Sequence, residues 1–406
     1  MKQGFLSEYF NGAVAKRLSA VETDPDQSHQ HEFNGVVPLK KLLGNERLTD
    51  CPTRFIWLGD ENEGVSEHST VTWYDSRKNH PTRSEYRLYF RSNPVMELAR
   101  PGDLLIVARR PSGEIMIIIA AAGSTVENQL LWLFGVPVQI AAGFEYREFD
   151  EDDISVDYAV RFVLDELGIE VEEPEADRLD ALLEQFNGVF PTTAVFSAFA
   201  RDTVPEVNPL DGSDAALLAW MEQEEKLFRR LERHVVSERL QSGFTNDDGA
   251  DVDGFISFSL SVQNRRKSRT GHAFEHHLEE VFRTCGVKYD RQAVTENRSK
   301  PDFLFPGETE YHNLGFPSSR LTMLGVKSTC KDRWRQVLSE AARIPDKHLI
   351  TLEPGISENQ TNEMAANRLQ LVLPRGIHET YRETQQKWLM DLETFIGHVR
   401  DKEAKS

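Results

Sequence analysis

The sequence predicts two folds in one chain: a β-rich barrel or sandwich in front, and an α/β domain with a mixed sheet behind. Three observations carry this reading. From Phe5 to about Glu148, short runs rich in β-branched and aromatic residues are bounded by Gly, Pro, Asn and Asp. From about Val189 the apolar residues recur every three to four positions, as on helices. Toward the C-terminus, strand-like runs then alternate with helical ones, which is the pattern of a mixed sheet flanked by helices.

In the front half the expected strands are "RFIWLG", "STVTWYDS", "EYRLYF", "DLLIVAR", "EIMIIIAAA" and "GVPVQIAAG". An acidic stretch from Phe149 to about Asn187 reads as a structured connector. It contains one helix, "YAVRFVLDELG", ending at Gly168. Behind it, "DAALLAWMEQEEKLFRRLERHVVSERLQSG" repeats apolar residues at Leu217, Trp220, Met221, Leu227, Leu231 and Val235, and Gly243 stops it. Two further helices are expected, "DVDGFISFSLSVQNRR" and "GHAFEHHLEEVFRTCG", separated by a basic loop. Then come the strands "PDFLF" and "LTMLGVK", the helix "KDRWRQVLSEAARI" stopped by Pro345, the strands "KHLITL" and "RLQLVLP", and a last helix from Tyr381 to Glu403.

A length of 406 residues allows two or three domains with real cores. Hydrophobic residues make up 39% and charged residues 28%, as in soluble globular proteins. No apolar run approaches the ~20 residues of a membrane span, and the opening residues lack the pattern of a secretory signal. Cys51, Cys285 and Cys330 are too sparse for a disulfide frame or a zinc cluster, and they suit the cytoplasm. The net charge of −19 argues against a polyanionic partner only if charge is averaged over the chain. It is not evenly spread. Acids crowd Glu145 to Asp180, while basic residues cluster in "NRRKSR", in "KDRWRQ" and around Arg77 to Arg91.

The stretch from Ser299 to Pro345 carries the densest chemistry. Asp302 opens one apolar run and Lys327 closes another. Alternation along a strand points Asp302 away from Phe303. It places Lys327 on one face with Gly325 and Met323, while Leu324 and Val326 face the core. The excursion "PGETEYHNLGFPSSR" leaves room for the two strands to lie side by side. Glu340 is expected about two turns into the next helix, sharing a face with Arg333 and Gln336. Two carboxylates, Asp302 and Glu340, beside a lysine form a hard-oxygen site for Mg²⁺. Such an ion activates water and stabilises charge at phosphorus, so the pattern points to phosphodiester hydrolysis. A strand-end acid, a surface lysine and a solvated helical acid would show the same letters. The apolar setting and the basic cluster between Lys327 and Glu340 favour the site.

"NRRKSRTGHAFEHHLEE", "KPDFLFPG" and "LTMLGVKSTCKDRWRQVLSEA" together resemble the catalytic half of EcoRII-type restriction endonucleases, Type IIE enzymes of the PD-(D/E)XK superfamily that cut CC(A/T)GG. The likeness is close from Asn264 to Pro345. More loosely, "KRLSA", "HQHEFNGVVP" and "WYDSRKNHPTRSEYR" resemble that family's effector-DNA-binding domain, a B3-like β-barrel. The resemblance implies an effector domain over 1–148, an acidic connector over 149–187 and a nuclease domain over 188–406. It implies that Asp302, Lys327 and Glu340 are the catalytic triplet. Gly325 stands where commoner nucleases carry an acid, with Glu340 as the replacement. Glu275 falls where related enzymes place a further acid, although a solvated helix charge fits it equally.

The same resemblance assigns base reading to the segment holding Lys331, Asp332, Arg333, Arg335 and Gln336, since arginine suits guanine and an acid suits cytosine. Arg265, Arg266 and Arg269 would contact phosphate or base edges, an ordinary basic loop being the other reading. Relatives flip the central base pair, which makes Trp220 a stacking candidate; a core position fits it better, as it does Trp334. Effector DNA would meet Lys16, Arg17, His29, His31, Arg77, Lys78, Arg83, Arg87 and Arg91. Tyr74 and Tyr86 suit structure or function alike. The expected protein is a Mg²⁺-dependent Type II endonuclease, a homodimer on palindromic double-stranded DNA, activated by a second site bound in front. An inert DNA-binding regulator and a nuclease for modified or structured DNA are the other classes. Residue types do not spell out the recognition sequence, because readout depends on docking.

Overall fold

In the computed structural model the described residues are 5–23, 31–59, 64–137, 144–149, 154–171, 179–246, 249–331 and 333–404. Two units divide the chain. One comprises Met1–Val171, Pro354–Gln360 and Thr380–Arg382; the other comprises Glu172–Glu353, Thr361–Glu379 and Glu383–Ser406.

An eight-stranded sheet forms the first unit. Its strands are β1 (Gly12–Arg17), β2 (Glu32–Gly35), β3 (Leu48–Leu58), β4 (Val65–Asp75), β5 (Tyr86–Phe90), β6 (Leu104–Arg109), β7 (Ile115–Ala120) and β8 (Glu145–Glu148). They lie in the order β2-β5-β4-β3-β7-β6-β1-β8. Only β3 and β7 run parallel; the other neighbours are antiparallel. β6 and β7 read as continuous apolar runs because both faces are covered. Ile106, Ala108, Met116 and Ile118 pack with Leu130, Phe134, Val160 and Leu164 on one side. Leu105, Val107, Ile117 and Ile119 pack with Leu39, Trp73, Leu88 and Val95 on the other. The connector helix expected near Gly168 is present as Tyr158–Glu166, and Asp157 caps it by accepting from the Val160 amide at 2.9 Å. Val160, Val163 and Leu164 bury it in this core, so the front unit reaches past the acidic boundary at 148.

In the second unit, two long helices, Ser213–Ser242 and Val252–Thr284, flank a two-residue hairpin of β9 (Thr245–Asn246) and β10 (Gly249–Ala250). Val252–Thr284 corrects the sequence reading of two helices with a basic loop between them. Gly271 costs a helix interior about 1 kcal/mol. Against this, Arg266 and Arg269, just before it, are tied to Glu232 and Glu224 of the neighbouring helix. The residues just after it, Ala273, Phe274, His277 and Leu278, are buried. Helical backbone is thus held on both sides of the glycine.

A five-stranded mixed sheet completes the unit in the order β11-β12-β13-β14-β15, comprising Asp290–Arg291, Phe303–Phe305, Thr322–Lys327, Lys347–Thr351 and Leu369–Val372. β12 is antiparallel to β11 and β13, whereas β13, β14 and β15 run parallel. Phe282 of the long helix anchors it, with ring centroids 5.1 Å from Phe303 and 5.3 Å from Phe305. Trp220 and Trp334 are both core residues. The last expected helix divides into Glu383–Gln386 and Leu392–Ala404. Asp391 caps the second piece at the Thr394 amide (2.7 Å), and the buried Asp214 carboxylate accepts from the Leu392 and Glu393 amides at 2.9 and 3.0 Å. These bonds fix a new helix start. All three cysteines are free. No helix among the described residues is long and apolar enough to cross a membrane.

Candidate active site

Asp302 precedes β12 and Lys327 ends β13. The β12–β13 register pairs Phe303 with Leu324, so one further step sets Asp302 beside Gly325. The Asp302 carboxylate accepts from the Val326 amide at 2.6 Å and from Lys327 Nζ at 3.2 Å through one oxygen, and from Gln292 Nε2 at 3.0 Å through the other. Lys327 Nζ also donates to the Val326 carbonyl at 3.0 Å. The two side chains expected on adjacent strands are therefore in direct contact.

Glu340 joins them by a different route from the one predicted. The helix after β13 is a single turn, Trp334–Val337, and Glu340 lies beyond it in a tight reversal. Ala341 there takes a left-handed φ of 46°. Four side chains hold this turn. Lys347 Nζ, buried, donates to the carbonyls of Glu340, Ala341 (3.2 Å) and Ile344 (3.0 Å). Thr295 Oγ1 accepts from the Ala341 amide at 3.4 Å, and Glu296 accepts from the Ala342 amide at 3.1 Å and from the Tyr311 hydroxyl. A longer helix would leave those groups without partners.

Gly325 explains how the turn comes so near. A Cβ at 325 would meet Val337 Cγ2 at 2.8 Å and Cγ1 at 3.1 Å. Val337 of the short helix fills the space that a side chain on β13 would need. The space beside position 325 is thus occupied by the element that leads to Glu340.

Burial pushes the Glu340 carboxyl up to about 7; the Asp302 charge adds to this rise, and Lys327 and Lys347 oppose it. Its Oε2 is buried without a hydrogen-bond partner among the described residues. An unsatisfied carboxylate oxygen facing a second carboxylate and a lysine is costly as it stands. A divalent cation would satisfy it, so Asp302 and Glu340 fit an oxygen-ligated Mg²⁺. Among the described residues no group of three or more His, Cys, Asp or Glu could hold a metal.

The other predicted residues fall elsewhere. Glu275 is not part of the triplet's contacts; it pairs with Arg291 at 2.7 Å, which also binds Glu279 at 2.6 Å. Arg269 is buried between Glu224 and Glu225 with its guanidinium over Phe228. Arg266 pairs with Glu232, and Arg265 stacks on Phe190. After β13, Lys331, Arg333, Arg335 and Gln336 are exposed. Arg333 donates to the Thr329 carbonyl at 3.1 Å and Arg335 pairs with Glu363 at 2.9 Å. Asp332 lies outside the described residues. In the front unit Lys78, Arg83 and Arg91 are exposed. Arg77 and Arg87 share Glu85, and Arg87 also meets Glu32. Lys16 is buried against Glu22 at 2.6 Å, Arg17 is paired with Glu127, and His31 packs on Phe90. His29 lies outside the described residues. Tyr74 binds Glu32 at 3.1 Å and Tyr86 stacks on Trp73, so both tyrosines have structural partners.

Lys347 and Gln292 went unread in the sequence. A lysine opening an apolar run, "KHLITL", is the one signal that could have marked the first, since a strand buried on both faces seldom begins that way.

Residues 228–396 match the family model described as EcoRII C terminal. Over 233 residues, 57% of this chain and 56% of the relative, the sequence is 38% identical to Type II restriction enzyme EcoRII of Escherichia coli. Over 115 residues, 26% of this chain and 36% of the relative, it is 30% identical to Type II restriction enzyme SsoII of Shigella sonnei. The chain thus spans about half the length of the first of these relatives and about a third of the second. Among solved structures, metal-depleted Ecl18kI in complex with uncleaved, modified DNA is similar at TM-score 0.45 and 18% identity, covering 55% of this chain and 83% of that one. The restriction endonuclease PspGI–substrate DNA complex is similar at TM-score 0.44 and 17% identity, covering 53% and 95%. The resemblance carried by the catalytic half of the sequence is borne out by the family match and by the sequence identities.

Two expectations follow from the site. Gly325→Ala displaces the Val337 turn; if the Asp302–Lys327–Glu340 cluster carries phosphodiester hydrolysis, it lowers that rate by ~100-fold, the scale of an ångström-level misplacement. Adding Val337→Ala recovers most of it; single-turnover assays of both variants check this, and equal rates for wild type and Gly325→Ala would refute the packing argument. Glu340, raised to about 7, holds a proton below that pH and must release it to bind a cation. The Mg²⁺ concentration for half-maximal activity should therefore fall by about tenfold between roughly pH 6 and pH 8. By the same sign, stability of the metal-free fold is lost as pH rises from about 4.5 to about 7, and Glu340→Gln removes that loss. A flat Mg²⁺ requirement across this range, or a Glu340→Gln protein with an unchanged stability profile, would contradict it.

Proposed function

We propose that this chain, whose residues 228–396 match the EcoRII C-terminal family, is a Mg²⁺-dependent Type II restriction endonuclease. It makes double-strand cuts at a short palindromic site of the CC(A/T)GG kind. The observation that carries the reading is the convergence of Asp302, Lys327 and the unsatisfied Glu340 oxygen from a strand start, a strand end and a turn.

Asp302 and Glu340 would hold Mg²⁺, which when bound supplies charge neutralisation at phosphorus and a more acidic water. Asp302 is kept in place by the Val326 amide and by Gln292. Lys327 keeps its ammonium beside that carboxylate, where it orients the attacking water and offsets negative charge on the phosphate. Glu340 is fixed through its own backbone carbonyl by Lys347. Glu275, held by Arg291, would support the site from the long helix.

Base reading falls to the exposed Lys331, Arg333 and Gln336, with Asp332 and Arg335, close along the chain to Lys327. Arg265, Arg266 and Arg269 contribute positive charge on the long helix, and the buried Arg269 supports it from within. A palindrome cut on both strands calls for a homodimer, one site per strand. The front unit would act as a B3-like effector domain that binds a second DNA site through its exposed Lys78, Arg83 and Arg91, with the flanking Arg77 and Arg87, and so activates the nuclease. The cytoplasm, where such DNA is met, suits the three free thiols.

Incubating the protein with plasmid DNA and Mg²⁺ and sequencing the ends tests the reading. Cuts should fall at one short palindrome. Lys327→Ala should keep DNA binding while cleavage drops at least ~100-fold. Random cutting, no cutting, or a fully active Lys327→Ala protein would sink it.

A further inference from the structure

Leu240, Val252, Phe255, Ile256 and Leu260 are all 47% exposed or more. Leu240 stands in the last turn of one long helix and the other four in the first three turns of the next, on either side of the β9–β10 hairpin. Five large apolar side chains left in water on one helical hairpin mark an unfinished surface. Val252, Ile256 and Leu260 recur every four residues, so they form one stripe on Val252–Thr284.

The charges around that stripe are symmetric. Asp253 and Lys267 each stand seven residues from Leu260, one on either side, and two turns bring all three near one line. Both charges are exposed, and neither has an ion-pair partner among the described residues. If two copies of this helix cross antiparallel at Leu260, Asp253 of each lies opposite Lys267 of the other. The pattern is self-complementary under a two-fold axis, which is what an isologous contact requires. A parallel crossing would set like charge on like.

We propose that this hairpin face is a two-fold interface with a second copy of the chain, Leu260 against Leu260, flanked by two Asp253–Lys267 pairs. The inference rests on the homodimer reading above and supplies its surface. It also gives the dimer a mechanical role. The same unbroken helix carries Phe282 under Phe303 and Phe305 of the sheet that holds Asp302. A crossing at Leu260 would therefore hold the sheets of the two copies in a fixed relation.

Sedimentation velocity on the full chain, without DNA or metal, tests the contact apart from the chemistry. Wild type should be a dimer. Leu260→Glu should raise its dissociation constant by at least about tenfold, since a charge replaces buried apolar surface. Lys267→Glu alone should weaken the dimer, and Asp253→Lys with Lys267→Glu should restore it. Under mild oxidation Leu260→Cys should cross-link to its mate, as a self-opposed position must, while Ser261→Cys and wild type stay uncross-linked. Far-UV circular dichroism of the variants should match wild type, because the altered positions are exposed within one copy. A monomeric wild type, an intact Leu260→Glu dimer, a double charge swap as weak as the single one, or no cross-link at position 260 would each overturn the interface. Mg²⁺-dependent cleavage by wild type would still stand after any of these results, so the two readings fail separately.

Discussion

A missing side chain governs the back unit's polar site. Gly325 leaves a gap on β13, and Val337 fills it from a one-turn helix. That contact sets how close the following turn approaches the strand, and hence where Glu340 stands relative to Asp302. Any Cβ at 325 competes with Val337 for one volume, and interiors at crystal-like density do not absorb such a conflict without shifting. An acid on β13 and an acid on the turn are thus alternatives. In this chain Val337 occupies that volume, and Gly325 is what admits it.

Holding the second acid has an electrostatic cost, visible in Glu340 itself. Burial and the nearby Asp302 charge both disfavour its ionised form. A fold that only needed stability would have placed an apolar or hydrogen-bonded residue there. Instead, Lys347, Thr295, Glu296 and Tyr311 are spent on the backbone of this turn. The cost falls on the carboxylate and the rigidity on the peptide, the arrangement expected where a cation later completes the site.

Asp302 and Lys327 were legible because strands impose a period of two, and one short apolar run opened on a charge while another closed on one. Glu340 was legible as a residue but not as a place. The expected helix through Ile344 had good propensity, and tertiary bonds from Lys347 and Thr295 overrode it after Val337. Arg269 shows the opposite failure. In the sequence it belongs to a basic cluster; in the fold it is a buried ion pair, because Glu224 and Glu225 stand on the neighbouring helix some forty residues earlier. Local charge counting cannot see such partners. The same blindness hid Gln292 and Lys347, whose roles exist only once their strands lie beside Asp302 and the Glu340 turn. The front sheet was readable as β from its alternation, while its strand order, with β3 parallel to β7, was not.

Anomalous diffraction from crystals soaked in Mn²⁺ addresses the site most directly. A cation peak bridging the carboxylates of Asp302 and Glu340, absent from the same crystals of Glu340→Gln, is the predicted result. A peak that ignores Glu340, or one that persists unchanged after the substitution, would contradict it.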